Sequence, residues 1–226
     1  MKVLTAQPKL VELVQNAILA EIASGKLPAG ARIIQEQIAA ELGVSRQPVQ
    51  QALLILRKQG VLREAPGRGL LVAPLDLDHV RNMYDVRAVI EGLAFRNAAE
   101  RNSKRAAQEG RAIIDQGREA VASGDVARMV ALDMAFHAFI YELSGNPLIA
   151  PSMDSHWTNT QRVMGEVLLR DERPRDIWNQ HAALLKAVAA GDGARAEQMA
   201  REHIAQAAKF MIMRLQREQE LAQARP

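Results

Sequence analysis

A glycine turn between two short amphipathic segments constrains this chain more than any other feature. It lies in Leu42-Gly-Val-Ser-Arg-Gln-Pro-Val-Gln-Gln-Ala-Leu-Leu54. Upstream, Ile34, Ile38, Ala39 and Leu42 recur with the spacing of one helix face. Gly43 then supplies a turn residue able to take φ > 0. Ser45 is placed to cap a second helix, and Pro48 falls in its first turn, where no N–H is needed. Val49, Ala52, Leu53 and Leu56 continue as its buried face. The pattern predicts a helix-turn-helix whose second helix turns Ser45, Arg46, Gln47, Gln50 and Gln51 outward. Arginine and glutamine without an acid on that helix face can donate to phosphates and read base edges. Taken alone, the same turn also fits an ordinary helical hairpin.

The next segment decides between them. Val61-Leu-Arg-Glu64 and Leu70-Leu-Val72 flank Ala65-Pro-Gly-Arg-Gly69, two apolar runs about a Pro/Gly turn, which is a β-hairpin signal. Glycines on both sides of Arg68 let the backbone come close to another molecule while the side chain reaches beyond it. Helix-turn-helix plus basic hairpin is a winged helix, with Arg68 placed to enter a minor groove.

Leu27-Pro-Ala-Gly-Ala-Arg-Ile33, Ile38-Ala-Ala-Glu-Leu-Gly-Val-Ser-Arg-Gln-Pro-Val49, Ala52-Leu53, Gly60-Val-Leu62 and Gly67-Arg-Gly69 closely resemble the DNA-binding domain of GntR-type bacterial transcription regulators. The resemblance runs over residues 8–74. It implies that double-stranded DNA is the partner. One departure stands out: the family usually has Arg directly after the Pro-Val pair, and this chain has Gln50. That implies a different operator sequence or a different affinity.

Charge agrees with this placement. Residues 1–75 hold nine Lys+Arg against five Asp+Glu, an excess of +4, while the rest of the chain is close to neutral. The absence of cysteine excludes disulfides, thiolate metal sites and a cysteine nucleophile. No apolar run approaches the ~20 residues that span a bilayer. The first residues lack a signal-peptide core, so the expected location is cytoplasmic, with no membrane partner.

Residues 8–24 read as an amphipathic helix supporting the recognition unit, with Leu10, Leu13, Val14, Ala17, Ile18 and Ile22 on one face. Pro74-Leu-Asp76, a proline followed by a capping Asp, marks a boundary with a linker at about 73–77. The expected organisation is a winged helix-turn-helix over 1–74 and a second domain over 75–226. The second domain shows no strand pattern. Helical stretches are predicted at 77–102, 104–122, 125–144, 147–170, 174–190 and 193–221, a six-helix antiparallel bundle. The fold class is therefore mainly α, with one small β-hairpin wing. Aromatics make up only 4% of the chain, so the bundle core must rest on Leu, Ile, Val, Ala and Met.

Five histidines are present, and three of them fall on amphipathic helices of this bundle. Asp133 and His137 share a face at i, i+4 among Leu132, Phe136, Phe139 and Ile140; His181 and His203 lie on two later helices. A polar group buried without a partner costs ~1–3 kcal/mol. Three imidazoles and a carboxylate on core faces would satisfy one another most simply around a divalent metal. The other reading is that each histidine is an ordinary satisfied core residue.

The Asp-x-x-x-His pair, a His before Ala-Ala-Leu-Leu and a final His-Ile resemble the effector domain of the FadR-type branch of GntR regulators, over about residues 77–220. That resemblance implies that Asp133, His137, His181 and His203 bind a divalent metal such as Zn, Ni, Mn or Fe. Open positions on an octahedral ion would suit a small carboxylate effector. Arg87 is its expected charged partner, an ion pair with Glu91 being the competing role. Asn179 could hydrogen-bond the effector, a solvated helix start being the equal alternative. His156 could line such a pocket, and His79 reads as surface. Together these features predict a ligand-responsive regulator, a repressor, binding a palindromic operator as a homodimer. The rivals are a metalloenzyme built on the Asp/His site and a DNA-binding dimer whose metal is purely structural.

Overall fold

The computed structural model describes residues 8–168 and 176–223. The chain divides into two compact units between Leu75 and Asp76. The first contains α1 (Pro8–Ala23), β1 (Arg32–Ile33), α2 (Gln35–Glu41), α3 (Arg46–Lys58), β2 (Leu62–Glu64) and β3 (Leu70–Val72). The turn between α2 and α3 is made as its sequence requires, with Gly43 at φ 63°. Ser45 takes the extended cap position before α3, but its hydroxyl makes no capping bond to the helix. The capping role read from sequence is thus replaced by an exposed hydroxyl. Val49, Ala52, Leu56 and Val61 are fully buried against Val14 and Ile18 of α1. Each of the valine, leucine and isoleucine side chains among them contributes ~1.5–3 kcal/mol.

The wing is the hairpin β2–β3, with Leu62 opposite Val72 and Glu64 opposite Leu70. A third strand, β1, was not expected; it pairs antiparallel with β3, giving the order β1-β3-β2. Two residues carry no readable alternation, so β1 is defined by tertiary pairing alone. Backbone bonds from Gly30 N to Val72 O and from Val72 N to Ala31 O, both 2.9 Å, extend that pairing. Gly67 and Gly69 both take φ 91° at the wing tip.

The second unit is helical throughout its described residues: α4 (Leu77–Ser123), α5 (Val126–Leu143), α6 (Ile149–Leu168), α7 (Ile177–Ala189) and α8 (Gly193–Gln223). Asp76 caps α4 as expected, its carboxylate accepting from Asp78 N at 2.8 Å and His79 N at 3.0 Å. The two helices expected at 77–102 and 104–122 are one helix kinked at Asn102 (φ −136°, ψ 31°). There the Asn102 amide donates to Leu143 O at 2.6 Å, and Arg101 donates to Ser144 O at 3.0 Å. The kink lets α4 satisfy carbonyls left open at the end of α5. The expected turn from Asp171 to Pro174 lies outside the described residues, as do the helix positions assigned to 169–170 and 174–175.

Phe95, Phe136, Ile140 and Val188 form the centre of this unit, joined by alanines of α4 and α8. Small residues let helices approach closely. At Gly117 of α4 a Cβ would stand 2.1 Å from the Trp178 indole of α7. Among the described residues, no helix is long and apolar enough to cross a membrane.

Candidate functional site

The core face of α5 and the inner faces of α7 and α8 bring four polar side chains together. One ring nitrogen from each of His137, His181 and His203 lies within 4.8 Å of the others, and all three rings are buried. Asp133, one turn before His137, places Oδ1 3.5 Å from His181 Nε2. The rings are held by their neighbours. His181 stacks on Phe136 with centroids 4.4 Å apart and meets Trp178 edge-on at 4.8 Å. His203 Nε2 is 3.2 Å from His181 Nε2.

The far nitrogens decide how these rings present themselves. His203 Nδ1 donates to Gln180 Oε1 at 2.8 Å, and His137 Nδ1 faces the Glu91 carboxylate. A proton held on Nδ1 leaves Nε2 as a bare lone pair, the arrangement in which imidazole binds metal. Burial lowers the His203 pKa to about 3 and holds that of His181 well below the ordinary histidine value. Burial also pushes the Asp133 carboxyl up, with the charges of His137 and Arg87 opposing it. The three histidines could hold a divalent metal, with the Asp133 carboxylate beside them.

Arg87 and Glu91, one turn apart on α4, form a buried ion pair with Nε to Oε1 at 2.9 Å. Arg87 also donates to Thr160 Oγ1 at 3.1 Å, and its guanidinium lies over the rings of Tyr84 (4.9 Å) and Trp157 (4.6 Å). Burial alone would raise the Glu91 pKa, but His137 and Arg87 pull it down to about 2. Of the two roles foreseen for Arg87, the structure shows the pair with Glu91; the side chain also lines a cavity. That cavity, partly open to solvent, has a volume of about 1100 Å³ and reaches Asp133, His137 and His203.

Asn179 does not reach it. It is exposed and accepts from Arg118 Nη2 at 3.3 Å, while its neighbour Gln180 faces the cavity. Helical phase explains the difference: Gln180, not Asn179, lies on the side of α7 that meets His203. His156 is half-buried away from the cavity lining, and His79 is exposed. Glu91 was read only as a competitor for Arg87. Its position in the stripe Tyr84, Arg87, Glu91, Ala94, Phe95, Ala98 was the signal for a buried carboxylate.

On the first unit, Ser45, Arg46, Gln47, Gln50 and Gln51 are all exposed on α3, and Arg68 is exposed at the wing tip. The wing is tied back by Arg32, whose guanidinium donates to Arg68 O. One acidic residue was missed. Glu36 of α2 reaches Arg46, with 3.4 Å between oxygen and Nη1, while Gln35 donates to Arg46 O at 3.1 Å. The spacing of α2 and α3 across the Gly43 turn brings them together, which no pattern within α3 could reveal.

Comparison with known proteins agrees with both units. Residues 10–72 match the family described as bacterial regulatory proteins, gntR family, and residues 82–206 match the FCD domain. The chain is 28% identical to a probable D-xylose utilization operon transcriptional repressor of Paenarthrobacter nicotinovorans, covering 85% of this chain and 84% of that one. It is 26% identical to the gluconate operon transcriptional repressor of Bacillus licheniformis, over 76% of this chain and 72% of the other. Among solved structures, E. coli McbR/YncC superposes with a TM-score of 0.80 at 22% identity, covering 91% of this chain and 98% of that one. A putative GntR regulator of Rhodococcus sp. RHA1 gives a TM-score of 0.73 at 23% identity, covering 89% and 97%. The chain belongs to the GntR family of bacterial DNA-binding transcription regulators, its winged helix followed by an FCD domain.

Proposed function

We propose that this regulator is a metabolite-responsive repressor that binds a palindromic operator as a homodimer and senses a small carboxylate at a divalent metal. The observation that carries the reading is the set of clustered, buried imidazoles beside Asp133, at a half-open cavity that His137 and His203 line. Asp133, His137, His181 and His203 would hold the ion, and Arg87 would present its guanidinium to the carboxylate. A bound divalent ion would supply Lewis-acid attraction for the acid's oxygens. The chain's own residues supply the rest: Glu91 fixes both Arg87 and His137, and Gln180 fixes His203. Repression is supported by relatives that are themselves named operon repressors. A homodimer is supported by Val86, Val89 and Leu93, three exposed aliphatic residues on one face of α4. Family membership sets the metalloenzyme alternative aside.

An effector can act only through different affinities for DNA-competent and DNA-incompetent states. The test is a thermal melt and an operator titration of wild type, His181→Ala and His203→Ala, with and without chelator. Chelator should lower the melting temperature, because a metal bound only by the folded state stabilises it. The variants should lose metal and effector response while keeping DNA binding. An unchanged melting temperature under chelator, with a full equivalent of metal retained by both variants, would overturn the site. Metal binding without any ligand-dependent release of DNA would leave a structural metal only.

A further inference from the structure

The wing carries basic side chains besides Arg68, and the register of its sheet says where they point. Arg32 of β1 stands opposite Leu71 of β3, and Arg63 of β2 stands opposite that same Leu71. Residues directly paired across strands share a face, so Arg32, Leu71 and Arg63 form one row. The alternate positions Ile33, Leu62 and Val72 are buried, which makes theirs the core face. The row therefore lies on the outer face, where Arg32 and Arg63 are exposed and Leu71 is half-buried. With neighbouring strands about 4.8 Å apart, the two arginines leave the sheet roughly 10 Å from each other.

The charge of this face has one sign. Glu64, the single acid in the three strands, lies on the opposite face and pairs with Arg57 of α3 at 2.9 Å. Among the described residues no carboxylate pairs with Arg32 or Arg63, and Arg63 spends none of its donors on a hydrogen bond. Arg32 gives one donor to Arg68 O, and its Nε lies 3.8 Å from the point where a Cβ on Gly69 would stand. The row thus runs up to the tip, against the backbone that carries Arg68. A face kept only for solvation mixes both signs. Two guanidinium groups with no acid between them suit phosphate oxygens instead.

We infer that Arg32 and Arg63 are a phosphate-binding pair, holding the DNA strand that borders a minor groove while Arg68 enters it. That groove is only about 6 Å wide, so a hairpin tip inside it brings its own sheet face against one phosphate wall. The inference rests on the wing meeting DNA through Arg68, and adds a sequence-independent anchor beside it.

The test uses full-length protein and a duplex that the wild type selects from a randomised library. Fluorescence anisotropy over a range of salt gives affinity for wild type, Arg32→Gln, Arg63→Gln, Arg63→Lys and Arg68→Gln, with a thermal melt of each to confirm folding. Loss of one phosphate contact lowers the log–log salt slope by ~0.9, so the affinity deficit should shrink about 3.5-fold as salt rises about fourfold. Arg32→Gln and Arg63→Gln should each show this, and Arg63→Lys, which keeps the charge, should not. Base preference should be unchanged in Arg63→Gln. Arg63 holds no other part of the fold, so its variant remains decisive if Arg32→Gln loosens the tip. Wild-type slopes in both glutamine variants, with a loss in Arg68→Gln, overturn the pair and leave the tip in the groove. Lowered slopes in both, with Arg68→Gln binding as wild type, keep the pair and overturn the role of Arg68. Wild-type slopes in all three take the wing off the DNA.

Discussion

His181 Nε2 and His203 Nε2 face each other across 3.2 Å. His203 gives its Nδ1 proton to Gln180, so its Nε2 can only accept. Without a metal, His181 must therefore carry its proton on Nε2, which agrees with a buried His181 Nδ1 that has no hydrogen-bond partner among the described residues. An ion taken by both Nε2 atoms would replace this hydrogen bond and require the His181 proton to move to Nδ1.

The same pair governs acid stability of the metal-free protein. His203 titrates near 3 and His181 well below the ordinary value of 6.5, both through burial. Above pH 6.5 the rings are neutral folded or unfolded, and their contribution is fully present. As pH falls from there toward about 3, the unfolded chain takes up protons that folded His203 refuses, so stability is lost. The melting temperature of the chelated protein should drop steadily across that window, and His203→Gln should make the drop shallower. A flat profile would show that these rings are not held neutral by burial.

Glu91 serves two donors at once, Arg87 Nε and His137 Nδ1, with no exposure. Glu91→Gln keeps the shape but offers one acceptor and one donor where two acceptors are needed. Zinc affinity should fall 10–100-fold as His137 loses its orientation. Stability should fall by about 3–5 kcal/mol, because Arg87 is left as a buried charge without its partner. Zinc titration and denaturant unfolding check the two effects separately. Wild-type zinc affinity in this variant would mean that the carboxylate does not orient His137.

These contacts mark where the sequence stops being readable. Asp133, His137, His181 and His203 are visible because histidine is scarce and each lies on an apolar helix face. The turn at Gly43 and the wing at Arg68 are visible because glycine there answers a local backbone need. The contact of Glu91 with His137 is hidden because it joins two helices, whereas the i, i+4 pair with Arg87 is readable. The strand at Arg32–Ile33 and the pair Glu36–Arg46 are hidden for a similar reason: each is created by tertiary approach, not by local pattern. The kink at Asn102 belongs with them, since its cause lies at the end of α5.

Gly117 shows the same point in packing. Any Cβ there would stand 2.1 Å from the Trp178 indole, whose other contacts include the His181 ring. Gly117→Ala must push Trp178 aside, at a cost of about 1–3 kcal/mol. Unfolding should register the loss and tryptophan fluorescence the displacement. Metal affinity should weaken with it through His181. A variant as stable as wild type would mean that α4 and α7 are not packed this tightly.

Gln50 lies exposed on α3, where the family usually has arginine. Glutamine pairs with adenine through N6 and N7, whereas arginine prefers guanine. Gln50→Arg should strengthen binding to DNA of any sequence. It should also steepen the salt dependence by ~0.9 in log–log slope for each phosphate newly contacted. Fluorescence anisotropy at several salt concentrations measures both. Unchanged affinity and slope would remove Gln50 from the interface.

Arg46 opens α3, the expected recognition helix, and the structure gives it a neighbour of opposite sign. Glu36 stands 3.4 Å away with both side chains more than half exposed, so the pair is weak, at ~0–1 kcal/mol. Its consequence lies in direction: the carboxylate restrains the guanidinium and places one negative charge where phosphates approach. If Arg46 reads a base, Arg46→Ala should cost ~1–3 kcal/mol and relax preference at one base pair in each half-site. Glu36→Gln should do the opposite to the background, strengthening binding to all sequences by removing repulsion while blurring preference at that same base pair. Selection of operators from a randomised library, run with wild type and both variants, reads preference position by position. A uniform loss for Arg46→Ala would make it a phosphate contact, and no change in either variant would take α3 out of the groove.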